Sequence, residues 1–202
     1  MSKLVHWESI VLTSLLLSGI TSLFGPTSEE LESVLLHPVM TSLYMCAEHG
    51  GAMTPGDSYG KDCVVVGLDT DREAGRLMFG LYENGGLINE EWYGWQESLL
   101  APCDGIVAST STNPATNEPG ILPTREELEP ASKIVFECPD EVNVVYAHVR
   151  NVSVEAGETV KAGIAVAEIG NNGYSTSPHV HIGAWRDETP LQIRFDLRLM
   201  NK

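Results

Sequence analysis

Two histidines stand two residues apart in the run S-T-S-P-H-V-H-I-G over positions 175–183. In a β-strand, residues i and i+2 point to the same face, so His179 and His181 look into one space. One imidazole can hold a metal there while its neighbour handles protons. A third histidine, His148, lies in a second apolar run, V-V-Y-A-H-V over 144–149. A buried imidazole needs a polar partner, so three in such settings point to a site and away from plain core packing. Taken singly, His148 reads as a satisfied core or surface residue; the His-x-His pair with Gly and Pro around it is what changes the balance.

Positioning such residues calls for strands. Segments 105–109, 133–138, 142–149, 164–169, 179–185 and 191–197 alternate apolar and polar residues or form short apolar runs, with Gly or Pro between most of them. This pattern predicts a mainly β fold, an antiparallel β-sandwich or barrel-like core. Residues 63–68, C-V-V-V-G-L, read as one buried strand. Thr27-Ser-Glu-Glu30 reads as a capping box opening a short N-terminal helix through about Leu36. The segment 89–97, N-E-E-W-Y-G-W-Q-E, is expected as a loop with one helical turn. Residues 111–130, with four prolines, are expected as a long surface loop with a short helix at Thr124–Glu129.

The chain has 202 residues and a net charge of −16, with 12 Lys and Arg against 28 Asp and Glu. That length accommodates one core. The charge excludes a phosphate-neutralising surface, so nucleic acid is not an expected partner. It argues equally against docking on anionic lipid. Four cysteines, Cys46, Cys63, Cys103 and Cys138, permit two disulfides or four free thiols. A zinc corner from Cys46, His49 and Cys63 lacks a fourth ligand. Ile10–Phe24 carries no charge and is short for a membrane span. Residues 1–26 are therefore a signal, an anchor or a packed helix, and residues 27–202 form the β domain. A signal or anchor implies a secreted, periplasmic or membrane-anchored protein, with membrane contact only through that segment; the cysteines leave the cytoplasm open as well.

Three pieces of the chain now line up: L-A-P-C-D-G-I-V at 100–107, V-Y-A-H-V continuing to V-E-A-G-E-T-V-K-A-G at 145–163, and I-G-N-N-G-Y-S-T-S-P-H-V-H-I at 169–182. In order and spacing they resemble the lysostaphin-type zinc endopeptidases, which hydrolyse peptide cross-bridges of peptidoglycan. The resemblance implies the family's β core (a duplicated hybrid motif) and one Zn2+ held by a histidine, an aspartate and the second histidine of H-x-H. On that rule His181 is a metal ligand, and His148 and His179 are the catalytic histidines. Asp62, within Y-G-K-D-C-V-V, matches the aspartate ligand. The family's usual H-x-x-x-D places its first histidine at Ser58, where serine cannot serve. His49, thirteen residues before Asp62, is then either that ligand or an exposed loop residue.

The implied substrate is a peptide or peptidoglycan. A family member without activity, binding wall peptides or regulating a partner hydrolase, is the alternative that the misplaced histidine favours. A carrier-type β domain is remote, because Lys161 lacks the expected context. No H-E-x-x-H helix or G-x-S-x-G elbow is present, and Ser175 and Ser177 read as turn residues. Asn171 and Asn172 read as turn-shaping. Tyr146 is assigned either to the core or to the groove, and Trp92, Tyr93 and Trp95 either to a clamped loop or to a groove wall.

Overall fold

The computed structural model describes residues 31–49, 56–71, 76–124, 126 and 129–200. The apolar segment 1–26 and the capping box at 27–30 lie outside the described residues, as do residues 125, 127 and 128 of the short helix expected at Thr124–Glu129, of which Thr124, Glu126 and Glu129 are described and are not helical. The predicted continuation of the N-terminal helix into Leu36 is not observed. Ser33–Leu36 is a strand, β1. The branched and long aliphatic side chains of this S-V-L-L segment suit a pleated surface, and pairing with a distant strand overrides the local capping signal.

The following strands are β2 (Tyr44–Glu48), β3 (Lys61–Val65), β4 (Gly67–Asp71), β5 (Arg76–Gly80), β6 (Ser98–Leu100), β7 (Gly105–Ser111), β8 (Lys133–Cys138) and β9 (Val142–Ala147). Then come β10 (Val149–Arg150), β11 (Thr159–Val160), β12 (Ala165–Ile169), β13 (Val180–Arg186), β14 (Thr189–Pro190) and β15 (Gln192–Phe195). Helical structure among the described residues is confined to three short 3-10 turns, at Asp57–Tyr59, Asn89–Glu91 and Leu197–Leu199. The expected 63–68 strand is two strands, because Val66 leaves the sheet to donate its N–H to Leu43 and the chain then enters the β4–β5 hairpin.

The main sheet runs β11-β7-β8-β9-β13-β3-β2, with β14 pairing β13. Every pairing in it is antiparallel. It is an open path ending at β11 and β2, so the barrel-like expectation is corrected to an open sheet. A smaller sheet, β10-β12-β6, contributes Leu99, Val166 and Ile169 to the same buried cluster as Phe136, Tyr146 and Ile182 of the main sheet. β1 pairs with β15 in parallel at the side.

Alternation along the central strands sorts the two faces. Ile134 and Phe136 of β8, Val144 and Tyr146 of β9, and Val180, Ile182 and Ala184 of β13 are all buried in the core. The intervening residues of the same strands, Lys133, Ala147 and His181, lie on the opposite face. Burying the apolar set fixes the register, since a slip of one residue would turn His181 of β13 into the core. Two disulfides tie the sheet, Cys46–Cys63 across β2 and β3 and Cys103–Cys138 beside β7 and β8. Among the described residues no cysteine is free, so the Cys46, His49, Cys63 zinc corner is not formed.

Candidate metal centre

One row of the main sheet carries the centre. Ala47 pairs with Asp62, Asp62 with His181, and His181 with Ala147. Directly opposed residues share a face, so the register of β3 on β13 brings Asp62 and His181 together although they are distant in sequence. His181 Nδ1 lies 3.0 Å from Asp62 Oδ1. His49 follows directly on β2, and its N–H donates to the Gly60 carbonyl at 3.2 Å, which carries the β2–β3 pairing one step further. Its Nε2 then lies 2.9 Å from His181 Nδ1 and 3.7 Å from Asp62 Oδ1. The hairpin and its Cys46–Cys63 disulfide align His49 with Asp62. Gly60 permits the approach, because a Cβ there would sit 3.0 Å from His181 Cε1 and 3.2 Å from His49 Nε2.

Asp57 was not among the residues singled out from sequence. It is buried, 5 % exposed, and its Oδ1 accepts from His181 Nε2 at 3.1 Å. It opens the 3-10 turn after Gly56, whose φ of 86° and close approach to the Ala184 backbone suit glycine. An aspartate after glycine reads in sequence as turn chemistry, so nothing distinguished it. Its effect is chemical. A proton held on Nε2 by Asp57 would leave the Nδ1 lone pair turned toward Asp62 and His49, the form that can bind a metal.

Three electron-pair donors then face one point, at separations that bracket the roughly 3.3 Å expected between ligands of a tetrahedral zinc ion with bonds of about 2.0–2.1 Å. His49, Asp62 and His181 form the one group among the described residues with metal-holding geometry. Two nitrogens and one carboxylate oxygen, with the Asp57 carboxylate behind His181, fit Zn2+.

His148 and His179 sit beside this group. Their rings are 4.7 Å apart, and His179 Nε2 is 3.7 Å from Asp62 Oδ1. His148 does not continue the strand expected over 142–149. It has a φ of 63°, between the end of β9 and the start of β10. A left-handed histidine is strained by roughly 1 kcal/mol or more, and it breaks the alternation that would put His148 on the face of Tyr146. Tyr146 is wholly buried against Phe136 and donates its hydroxyl to the Leu100 carbonyl at 3.0 Å, which assigns it to the core. His148 is released to the opposite side.

Both of these imidazoles have a defined tautomer, because a carbonyl can only accept. His148 Nδ1–H donates to the Asn172 carbonyl at 2.7 Å, and His179 Nδ1–H donates to the Ser177 carbonyl at 2.8 Å. Each Nε2 is left with its lone pair. Burial pushes the His148 pKa down to about 3, helped by the neighbouring His179, and burial likewise lowers that of His179. For Asp62 burial is the largest influence and works upward. Polar contact with His181 and the other histidines around it outweighs it, so the carboxyl stays below its ordinary value.

The turn before the H-x-H strand is structural. Asn172 Nδ2 donates to the Val149 carbonyl and its Oδ1 accepts from Ser132 N–H, while Asn171 bonds Asn89 and Ser175. Ser175 is buried in that network. A groove of about 690 Å3 exposes His49, Asp62, His148, His179 and His181, with Tyr174, Leu122 and Lys133 among its other walls. Trp92, Tyr93 and Trp95 do not line it. Trp92 donates to Gly86, Tyr93 packs beside Gly67, and Trp95 lies under the Arg150 guanidinium. Lys161 is ion-paired with Asp104.

Residues 96–193 match the model for Peptidase family M23. That span includes His148, His179 and His181 and begins after His49 and Asp62. No curated protein matches the chain. Among solved structures, it is similar to the catalytic domain of the prophage-encoded M23 protein EnpA from Enterococcus faecalis, at 15 % identity over 75 % of this chain and 87 % of that one, with a TM-score of 0.46. It is also similar to the SpoIIQ–SpoIIIAH pore-forming complex, at 18 % identity over 79 % and 87 %, with a TM-score of 0.45. Pseudoalterin, a deep-sea M23 metalloprotease, matches at 14 % identity over 77 % and 73 %, with a TM-score of 0.44.

Proposed function

From the premise that residues 96–193 are a domain of peptidase family M23, we propose that this chain is a zinc-dependent endopeptidase that hydrolyses peptide bonds of peptidoglycan cross-bridges or similar peptides. The observation that carries this reading is the meeting of His49, Asp62 and His181 around one point, with two further imidazoles alongside, in a single groove. The ligands are His49 Nε2, Asp62 Oδ1 and His181 Nδ1. A zinc ion held there supplies a Lewis acid that polarises a peptide carbonyl and makes water nucleophilic near neutral pH.

The remaining chemistry belongs to the chain. His148 and His179 arrive neutral because burial disfavours their charged forms, so either Nε2 can take the one proton that water loses as it attacks. The same nitrogens then return a proton to the leaving amine. While protonated they offset the negative charge that develops on the carbonyl oxygen. Their Nδ1 bonds to backbone carbonyls hold both rings in place throughout, so little reorganisation is needed.

The inactive alternative drew its support from serine at position 58. His49 lies where it could supply the missing nitrogen, and that argues for activity. Two disulfides support a secreted, periplasmic or membrane-anchored protein, since such bonds persist in oxidising compartments. The test is digestion of purified peptidoglycan by zinc-loaded protein, scored by new free amino groups. The reading predicts release that a chelator abolishes and zinc restores. Absence of new amines from cross-linked peptidoglycan and from synthetic bridge peptides would overturn it.

A further inference from the structure

The sheet row that bears the metal ligands does not stop at the centre. Beyond His181 and Ala147 it continues to Lys133 on β8 and Ser111 on β7. Lys133 therefore projects from the same face as His181, two strands away, or roughly 10 Å at about 4.8 Å per strand. Ala147, between them, has too short a side chain to block the path, and Lys133 lines the same groove as the five site residues.

Its charge state of pairing sets it apart. The other two lysines among the described residues have partners, Lys61 with Glu48 at 2.7 Å and Lys161 with Asp104 at 2.9 Å. Among the described residues, no carboxylate is within ion-pair distance of the Lys133 ammonium. This holds in a chain with 28 carboxylates against 12 basic residues. Glu129, Asp57 and Asp62 also line the groove, Asp62 beside His49 and His181. A half-buried cation with no carboxylate partner among the described residues, on the floor of a groove in so acidic a protein, is suited to an anion that arrives with the substrate.

We propose that Lys133 is a carboxylate-binding subsite, and that the substrate is an acidic peptide with a carboxylate two to three residues from the scissile bond, in contrast to a neutral oligoglycine. The spacing follows from an extended peptide rising about 3.3 Å per residue across a roughly 10 Å gap. The ammonium selects by charge and leaves the chemistry unchanged, so Lys133 is a specificity residue. The proposal rests on the hydrolase reading above.

The experiment uses zinc-loaded full-length protein and synthetic glycine-rich peptides carrying Glu or Gln, two or three residues to either side of the central bond. Wild-type protein is expected to favour a Glu peptide over its Gln twin by about fivefold in kcat/KM, the discrimination one partly screened ion pair provides. The difference should lie in KM and shrink with added salt. Lys133→Met should erase the preference, and Lys133→Glu should transfer it to a Lys-bearing peptide, both variants keeping the wild-type circular dichroism spectrum. Cleavage of Glu and Gln peptides at equal rates would overturn the subsite and leave the hydrolase standing. If no peptide is cleaved, the hydrolase reading fails. Calorimetric binding of the same pairs then decides: a Glu preference lost in Lys133→Met supports the subsite, and equal or absent binding overturns it.

Discussion

Asp57 offers the sharpest test of how the centre is built. Its carboxylate accepts from His181 Nε2 at 3.1 Å, in a pocket that leaves Asp57 5 % exposed. In Asp57→Asn the shape is kept and the charge is lost, so the imidazole becomes a weaker base and its tautomer is less firmly set. Loss of such a partner on a ligand histidine lowers metal affinity by about 10- to 100-fold, or about 1.4–2.8 kcal/mol. Asp57→Ala should be at least as damaging, because it leaves a buried N–H without an acceptor, at a further cost of about 1–3 kcal/mol. Zinc affinity measured by competition with a chromophoric chelator reads the effect directly, with Glu97→Gln as a distant control. Nitrogen NMR of His181 reads the tautomer independently of zinc and activity. Zinc affinities within twofold of wild type in both folded Asp57 variants, with the His181 tautomer unchanged, would refute the orienting role.

Other outcomes follow from the same geometry. His179→Ala should retain zinc while losing at least about 100-fold in turnover, the usual scale for a positioned acid or base; undiminished hydrolysis would remove it from the reaction. His148 stays neutral in the folded protein down to a pKa of about 3 but titrates near 6.5 when unfolded. The unfolded chain therefore binds more protons between these values, and the metal-free protein loses stability as pH falls. Between pH 7 and 4.5 this histidine should account for on the order of 2–3 kcal/mol, seen as a smaller acid loss in urea titrations of His148→Gln; identical pH profiles would contradict it. Replacing Cys46 and Cys63 together by Ser should lower stability by about 3 kcal/mol for this 17-residue separation. It should also weaken zinc binding, since that hairpin aligns His49 with Asp62; full zinc affinity in the double variant would show that the disulfide is dispensable for the site.

Legibility in the sequence followed the range of the forces involved. The strand over Lys133–Cys138 and the pairing of His179 with His181 on one face depend on local alternation, and alternation is visible in a string of letters. His148 was found by its type, but its route into the site was not. Its backbone turns left-handed because Tyr146, two residues earlier, is drawn into the core, a decision taken by tertiary packing. Residues Ser33–Leu36 show the same override, where a capping signal lost to pairing with β15. Asp57 was missed because its partner, His181, is remote in sequence and only the fold brings them together. His49 could be read either way until β2 and β3 were in register, since pairing alone decides whether a loop histidine reaches the aspartate. Chemical types were legible, and the long-range registers that bring them into contact were not.

Zinc K-edge absorption on the purified full-length protein, combined with metal analysis, tests the central claim most directly. The account predicts about one zinc per chain, as a single catalytic site requires, in a first shell of two imidazole nitrogens with oxygen ligands. It also predicts loss of the metal in Asp62→Ala and in His49→Ala. Protein that takes up no zinc after reconstitution, or that binds zinc undiminished when both residues are replaced, would contradict it.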